Sequence, residues 1–150
     1  MLTLRHKYLP FFMWLFPLLF FTYQFILRLW PGLMMNQIMD QFSIDASHFG
    51  MLAAFYYYGY SVMQIPVAVL LDRFSARRII FIFAVLCGFA ILMFTYTSNF
   101  YLALLSRFLI GAGSAVGFLG VSKVLSEWFP RAQYARMVGF SFTFGLTGAI

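Results

Sequence analysis

The sequence predicts an all-α polytopic membrane protein, and three observations carry that prediction. Only 9% of the 150 residues are charged and 63% are hydrophobic, whereas an average soluble domain carries about 25% charged residues. Apolar runs recur at the length of about 20 residues that a helix needs to cross a bilayer. The Lys and Arg residues collect in the links on one side of those runs. A soluble fold is excluded, because the chain lacks the polar surface to clothe one. The net charge of +6 flanks apolar spans rather than forming a patch, so it reports topology and not nucleic-acid binding.

Taken in order, the first span covers Leu9–Trp30, with Pro10 near its start and Pro17 inside, where a kink is expected. Arg5, His6 and Lys7 before it resemble the start of a signal peptide, but the apolar run exceeds the roughly 7–15 residues of a signal core and lacks a small-x-small cleavage site. It reads as an uncleaved span. Pro31-Gly32 punctuates its end, and Leu33–Met39 is compatible with a further helical turn or two. Asp40–Ser47 is a polar link in which Asp45 or Ser47 can cap the next helix. The second span runs over His48–Leu71 with Pro66 inside, and the third over Arg78–Thr97. Ser98-Asn99 makes a tight turn into the fourth, Phe100–Phe129, which Pro130 stops. A fifth begins near Arg136 and is incomplete at Ile150.

Orientation follows from the links. Arg5, Lys7, Arg73, Arg77, Arg78, Arg131 and Arg136 fall on one side, while Asp40–Ser47 and Ser98-Asn99 contain no Lys or Arg. That asymmetry predicts a cytoplasmic N-terminus and a cytoplasmic loop at Asp72.

Three cations remain inside the spans: Arg28, Arg107 and Lys123. A charge in the bilayer is costly and normally faces a cavity or a partner. Arg28, with Gln24 one turn earlier on the same face, suggests a polar stripe; the alternative is a side chain snorkelling to the interface. For Arg107 the alternative is a buried arginine bonded to backbone carbonyls, and for Lys123 it is again snorkelling. Sixteen positions at about 100° each place Arg107 and Lys123 nearly opposite one another on a straight helix, so they share no site unless the glycines bend it. On the second span Tyr57, Tyr60, Ser61 and Gln64 follow helical spacing, with Tyr57 and Gln64 as candidates for a cavity lining and helix packing as the alternative. Gly111, Gly113, Ser114, Ala115, Gly117 and Gly120 crowd the fourth span, first a signal for close helix packing and second for a hinge. No Asp or Glu lies deep in any span, so a carboxylate proton relay is absent from the segment, and the embedded positive charges suit an anionic ligand better than a metal or cation. No metal-ligand cluster, nucleotide loop or nucleophile–base pair appears, and no enzyme activity or cofactor is expected. Cys87, the single cysteine, lies in an apolar run as a small packing residue.

Ala68-Val69-Leu70-Leu71-Asp72-Arg73-Phe74-Ser75-Ala76-Arg77-Arg78 resembles the G-x-L-x-D-R-x-G-R-R loop signature of the major facilitator superfamily, with Ala68 and Ser75 in place of the two glycines and Ala76 at one basic position. That signature belongs between the second and third spans on the cytoplasmic side, where the topology places this loop. Arg107-x-x-x-Gly111-x-Gly113 is similar to the fourth-span signature R-x-x-Q-G-x-G, with Ile110 where Gln is common, and Gly139, Gly145 and Gly148 are compatible with the opening of the fifth-span glycine motif. Gln64-Ile65-Pro66 running into Leu70–Phe74 resembles bacterial members, organic-anion carriers among them.

The resemblance implies a helical bundle, of which this chain is a partial N-terminal six-helix half, in a secondary transporter of a small organic solute working by alternating access from the bacterial inner membrane; an anion is the leading substrate class, with amino acids, short peptides and drugs left open. It implies an ion-pair latch at the cytoplasmic face built from Asp72, Arg73, Arg77 and Arg78, joined by Glu127, Arg131 and Arg136. It makes Arg28 with Gln24 the leading substrate site, ahead of Tyr57, Gln64 and Arg107. The expected partners are the solute, the lipid bilayer and the remaining C-terminal part of the same transporter, with no nucleic acid. Twelve spans need roughly 400 residues, so the 150 residues read as the front part of a longer carrier. Two other classes compete: a non-transporting stub or assembly partner that keeps the architecture, and a small four-span exporter acting as a homodimer. The begun fifth span and the lack of an intramembrane carboxylate speak against the exporter.

Overall fold

The computed structural model describes the backbone from Thr3 to Gly148 and the side chains from Leu9 to Gly148, and all regular structure within these residues is helical. The elements are α1 (Thr3–Leu33), α2 (Met35–Phe42), α3 (Ala46–Arg73), α4 (Ala76–Tyr96), α5 (Phe100–Ser114), α6 (Val116–Trp128) and α7 (Arg131–Thr147). The side chains of Arg5 and Lys7, which entered the charge asymmetry, lie outside the described residues, as does Ile150.

The helices begin and end where local chemistry dictates. Pro31 does not terminate α1; it sits in the last turn, and the chain breaks only at Met34, whose N–H reaches the carbonyls of Trp30 and Pro31 at 3.2 Å each. Because Pro31 has no N–H, the carbonyl of Leu27 loses its helical partner there. The short amphipathic α2 then lays Ile38 into the core and closes on Ser43, held in the left-handed conformation at φ 51°. Asp45 caps α3 by accepting the His48 N–H at 2.9 Å, and this bond holds its carboxyl below the usual carboxylate range. Asn99 caps α5 through the N–H groups of Tyr101 and Leu102 at 2.9 and 3.3 Å.

The fourth apolar run is a single span, Phe100–Trp128, whose helical ladder is interrupted at Ala115 between α5 and α6. The Ser114 hydroxyl donates back to the Ile110 carbonyl at 2.8 Å, and the Ala115 N–H turns to Ala112 at 3.3 Å, tightening the ladder where α5 passes into α6. Among the described residues three stretches are long and apolar enough to cross a membrane: Leu9–Leu33, Ala76–Tyr96 and Phe100–Trp128. The 28 residues of α3 span about 42 Å at 1.5 Å per residue, longer than a hydrocarbon core of about 30 Å, but its tyrosines, serines and glutamine make it less apolar. Large apolar side chains face outward along the bundle, among them Phe12, Leu19, Phe81, Phe89 and Leu92, while Gln24, Ser106, Arg107 and Ser114 are buried. That inversion is the signature of an integral membrane protein, whose solvent is lipid.

At the centre of the bundle α5 packs between α3 and α4, and α1 lies against α6 and α7. The approach of α3 to α5 is set by two glycines in reciprocal contact. A Cβ at Gly59 would collide with the Phe108 carbonyl, and one at Gly111 with the Tyr56 carbonyl. Gly113 makes room for Cys87, which is fully buried with its Sγ 3.6 Å from the Ile110 carbonyl. Phe21, Val121, Leu125, Phe129 and Met137 form a second cluster that ties α1, α6 and α7 together.

Glycine substitutions test this crossing against an internal control, because a Cβ at Gly50 meets nothing within 4 Å. Gly59→Ala and Gly111→Ala are expected to destabilise the detergent-solubilised protein by about 1–3 kcal/mol, the cost of overpacking. Gly50→Ala is expected to be neutral or stabilising, by up to about 1 kcal/mol of helix propensity. Thermal unfolding of the three variants checks the ordering; equal midpoints would remove the crossing from the account.

Candidate functional site

The embedded arginines come from neighbouring helices and meet around one tyrosine. Arg107, on α5, is only 2% exposed. Its Nη1 donates to the Leu27 carbonyl of α1 at 3.1 Å and its Nε to the Leu52 carbonyl of α3 at 3.3 Å. The first acceptor is the carbonyl that Pro31 leaves unpaired, so the arginine fills a vacancy in the α1 hydrogen-bond ladder. The Arg107 Cζ also lies 5.0 Å from the centre of the Tyr56 ring.

Arg28 has a different environment. It follows Leu27 on α1, is half-buried, and has its guanidinium carbon 5.1 to 5.7 Å from four ring centres: Tyr60, Phe25, Tyr57 and Tyr56. Its Nε is buried without a hydrogen-bond partner. Gln24, one turn earlier, is buried against Gly117 of α6, and its Oε1 also lacks a partner. The hydroxyl of Tyr56 is a third orphan. Buried polar atoms in a native fold are nearly always paired, and among the described residues three of the four that are not lie on Gln24, Arg28 and Tyr56, the fourth being the Ser122 hydroxyl. No carboxylate answers the two cations: the chain's four acids are Asp40, Asp45, Asp72 and Glu127, none of them near this cluster.

The structure thus groups three sequence candidates, Arg28, Tyr57 and Arg107, with Gln24 one turn below. Tyr57 is half exposed beside Arg28. Gln64 lies seven residues further along α3, about 10 Å toward its C-terminal end, and is half-buried. Tyr56, which no sequence argument singled out, is the ring all of this surrounds. Its signal was its place four residues after Leu52 and three before Gly59, on the face of α3 that α5 buries.

The loop between α3 and α4 carries a second cluster. Lys123 of α6 reaches Asp72 at 3.2 Å and Glu127 at 3.6 Å. Arg73, Arg77, Arg78 and Arg131 are exposed at the same end, and among the described residues none of them forms a salt bridge. The nearest partner of Asp72 is therefore the embedded lysine. Arg107 and Lys123 both reach α3, but at opposite ends of it, Arg107 at Leu52 and Lys123 at Asp72, so they share no site. A cleft of about 860 Å³ opens beside this cluster between α1, α4 and α6, lined by Phe12, Phe16, Arg77, Phe81 and Trp128 among others, and contains neither Arg28 nor Arg107. Among the described residues no group of three His, Cys, Asp or Glu side chains is placed to hold a metal.

Comparison with known proteins agrees with this architecture. The uncharacterized transporter YybO of Bacillus subtilis is 34% identical over 64% of this chain and 22% of its own length. A quinolone resistance transporter of Acinetobacter baumannii is 30% identical over 64% of this chain and 22% of its length. The hexuronate transporter of Bacillus subtilis is 26% identical over 68% of this chain and 24% of its length. The chain thus spans about a quarter of the length of these relatives. No solved structure matches it significantly. The family model of the Major Facilitator Superfamily matches residues 12–150, nearly the whole chain, and with helices and signature loops in their expected order the chain belongs to that superfamily.

Proposed function

We propose that this chain is the N-terminal portion of a secondary transporter that moves a small organic anion across the membrane by alternating access, with the N-terminus and the α3–α4 loop in the cytoplasm. In this reading α1, α3, α4 and α5–α6 are four spans and α7 begins a fifth. One observation carries the substrate class: Arg28 is a half-buried guanidinium with a free Nε, stacked among aromatic rings and lacking any carboxylate partner. A charge left so in an apolar setting is stabilised by a mobile anion, and a planar guanidinium suits a carboxylate or sulfonate bidentately. Arg107 is committed to two backbone carbonyls, so this half of the site offers one full cation and recognises one anionic group. A hexuronate, named for one relative, is such an anion.

Arg28→Gln in the complete transporter polypeptide is expected to reduce uptake of an anionic solute by at least about tenfold, the loss of one charge-assisted hydrogen bond of roughly 1.5–3 kcal/mol. Arg28→Lys is expected to fall between, keeping the charge and losing the planar fork. Uptake in proteoliposomes checks both, and wild-type kinetics in Arg28→Gln would return this side chain to an interfacial role.

At the cytoplasmic end Lys123, Asp72 and Glu127 act as a latch that favours one access state, with Arg73, Arg77, Arg78 and Arg131 as alternative partners when the helices shift. The Asp72 and Glu127 carboxylates are largely exposed, and an exposed pair is worth no more than about 1 kcal/mol, so breaking it shifts the ratio of states by about fivefold at most. Asp72→Asn and Lys123→Gln are expected to alter cysteine accessibility of the two faces by that modest factor, in the same direction, and the Asp72→Lys/Lys123→Asp exchange to restore part of it. Accessibility unchanged in both single variants would remove the latch.

A further inference from the structure

We propose that Tyr56 is the positioning residue of the anion site: its ring fixes the plane of the Arg28 guanidinium and ties it to Arg107. The proposal rests on the reading of Arg28 as the anion's partner, and it names the residue that makes that arginine competent. Among the described residues Tyr56 is the one ring within reach of both guanidiniums, 5.0 Å from Arg107 and 5.7 Å from Arg28. It is completely buried, and it stacks on Tyr60 with centroids 6.3 Å apart and meets Tyr57 edge-on at 5.5 Å. Its backbone is fixed as well, because the carbonyl of Tyr56 lies where any side chain at Gly111 would stand. The ring therefore cannot retreat from either cation.

Two like charges close together repel, and no acid is near enough to separate them. The negative face of an aromatic ring attracts a cation, most strongly where water is excluded, so a shared ring offsets the repulsion without neutralising Arg28. A carboxylate at this place would do the reverse, occupying the guanidinium and competing with the ligand. The covalent path closes the unit: Arg107 holds the Leu27 carbonyl, Arg28 is the next residue, and both guanidiniums return to Tyr56. The unpartnered Tyr56 hydroxyl is a further donor at the same place, secondary to the ring.

The ring and the hydroxyl separate cleanly in Tyr56→Phe and Tyr56→Leu. The complete polypeptide, reconstituted in lipid, is labelled with phenylglyoxal, and modification of Arg28 is followed by mass spectrometry with the exposed Arg131, at the start of α7 and away from Tyr56, as the internal reference. Protection is then measured with D-glucuronate and with sulfoacetate. Tyr56→Phe is expected to label within about threefold of wild type and keep protection. Tyr56→Leu is expected to label Arg28 at least tenfold faster and to raise the protecting anion concentration at least tenfold, in protein that still elutes as a single folded species. Wild-type labelling in Tyr56→Leu would overturn the proposal, and so would a Tyr56→Phe variant that behaves like Tyr56→Leu, since the hydroxyl would then be the operative group. If labelling responds as expected while no anion protects even the wild type, the positioning role stands and the anion-carrier reading fails.

Discussion

A missing N–H on α1 and a guanidinium from α5 form the interaction on which the rest of this bundle depends. Pro31 deprives the Leu27 carbonyl of its helical donor inside an apolar interior, where an unpaired carbonyl costs about 1–3 kcal/mol. Arg107 supplies the donor at 3.1 Å and holds Leu52 of α3 with its other arm. One side chain thereby pins three helices at the same level. The burial of its charge is tolerable because two carbonyl dipoles and the Tyr56 ring face it, so the charge is solvated by the fold. The glycine contacts of Gly59 and Gly111 bring α3 and α5 close enough for those bonds to form.

The same geometry explains why two arginines so near one another have different roles. Arg107 directs two of its donors into backbone, and Arg28, one residue beyond the carbonyl it grips, is left with aromatic faces and a buried, unpartnered Nε. Rings orient a guanidinium without discharging it, which is what a reversible anion site needs. At the other end of the bundle the logic changes with exposure. Lys123, Asp72 and Glu127 meet where water competes, so each of their pairings is weak, whereas the bonds of Arg107 lie in the buried interior.

Much of this was legible in the sequence, and what was not has physical reasons. The apolar runs overlap the long helices, because a bilayer imposes length and composition on every span, but α2 reaches into the expected polar link and α7 begins at Arg131, five residues before the expected Arg136. The loop from Asp72 to Arg78 and the run beginning at Arg107 announced the family, since their residue types serve fixed places in the bundle. Gln24 and Arg28 could be paired because one helical turn separates them. That Arg107 bonds backbone carbonyls was one of its two readings, but which carbonyls could not be read, because one is left unpaired by a proline 76 positions earlier in the chain and both are brought near only by packing. Pro31 itself looked like a terminator, yet a proline in the last helical turn removes a bond without ending the helix. Tyr56 was hidden among Tyr56, Tyr57 and Tyr58, three identical neighbours that only the burial of one helix face tells apart. The pairing of Asp72 with Lys123 likewise needed the end of α6 to come alongside the end of α3.

A double-mutant cycle between Pro31 and Arg107 tests the central interaction most directly. Pro31→Ala restores the N–H that the Leu27 carbonyl lacks, so the arginine should matter less in that background. The unfolding free energies of wild type, Pro31→Ala, Arg107→Met and the double variant are to be measured in one detergent. The account predicts that Arg107→Met destabilises the wild type by about 1–3 kcal/mol more than it destabilises Pro31→Ala, the cost of an orphaned carbonyl. Strictly additive effects would show that proline and arginine act independently, and would contradict it.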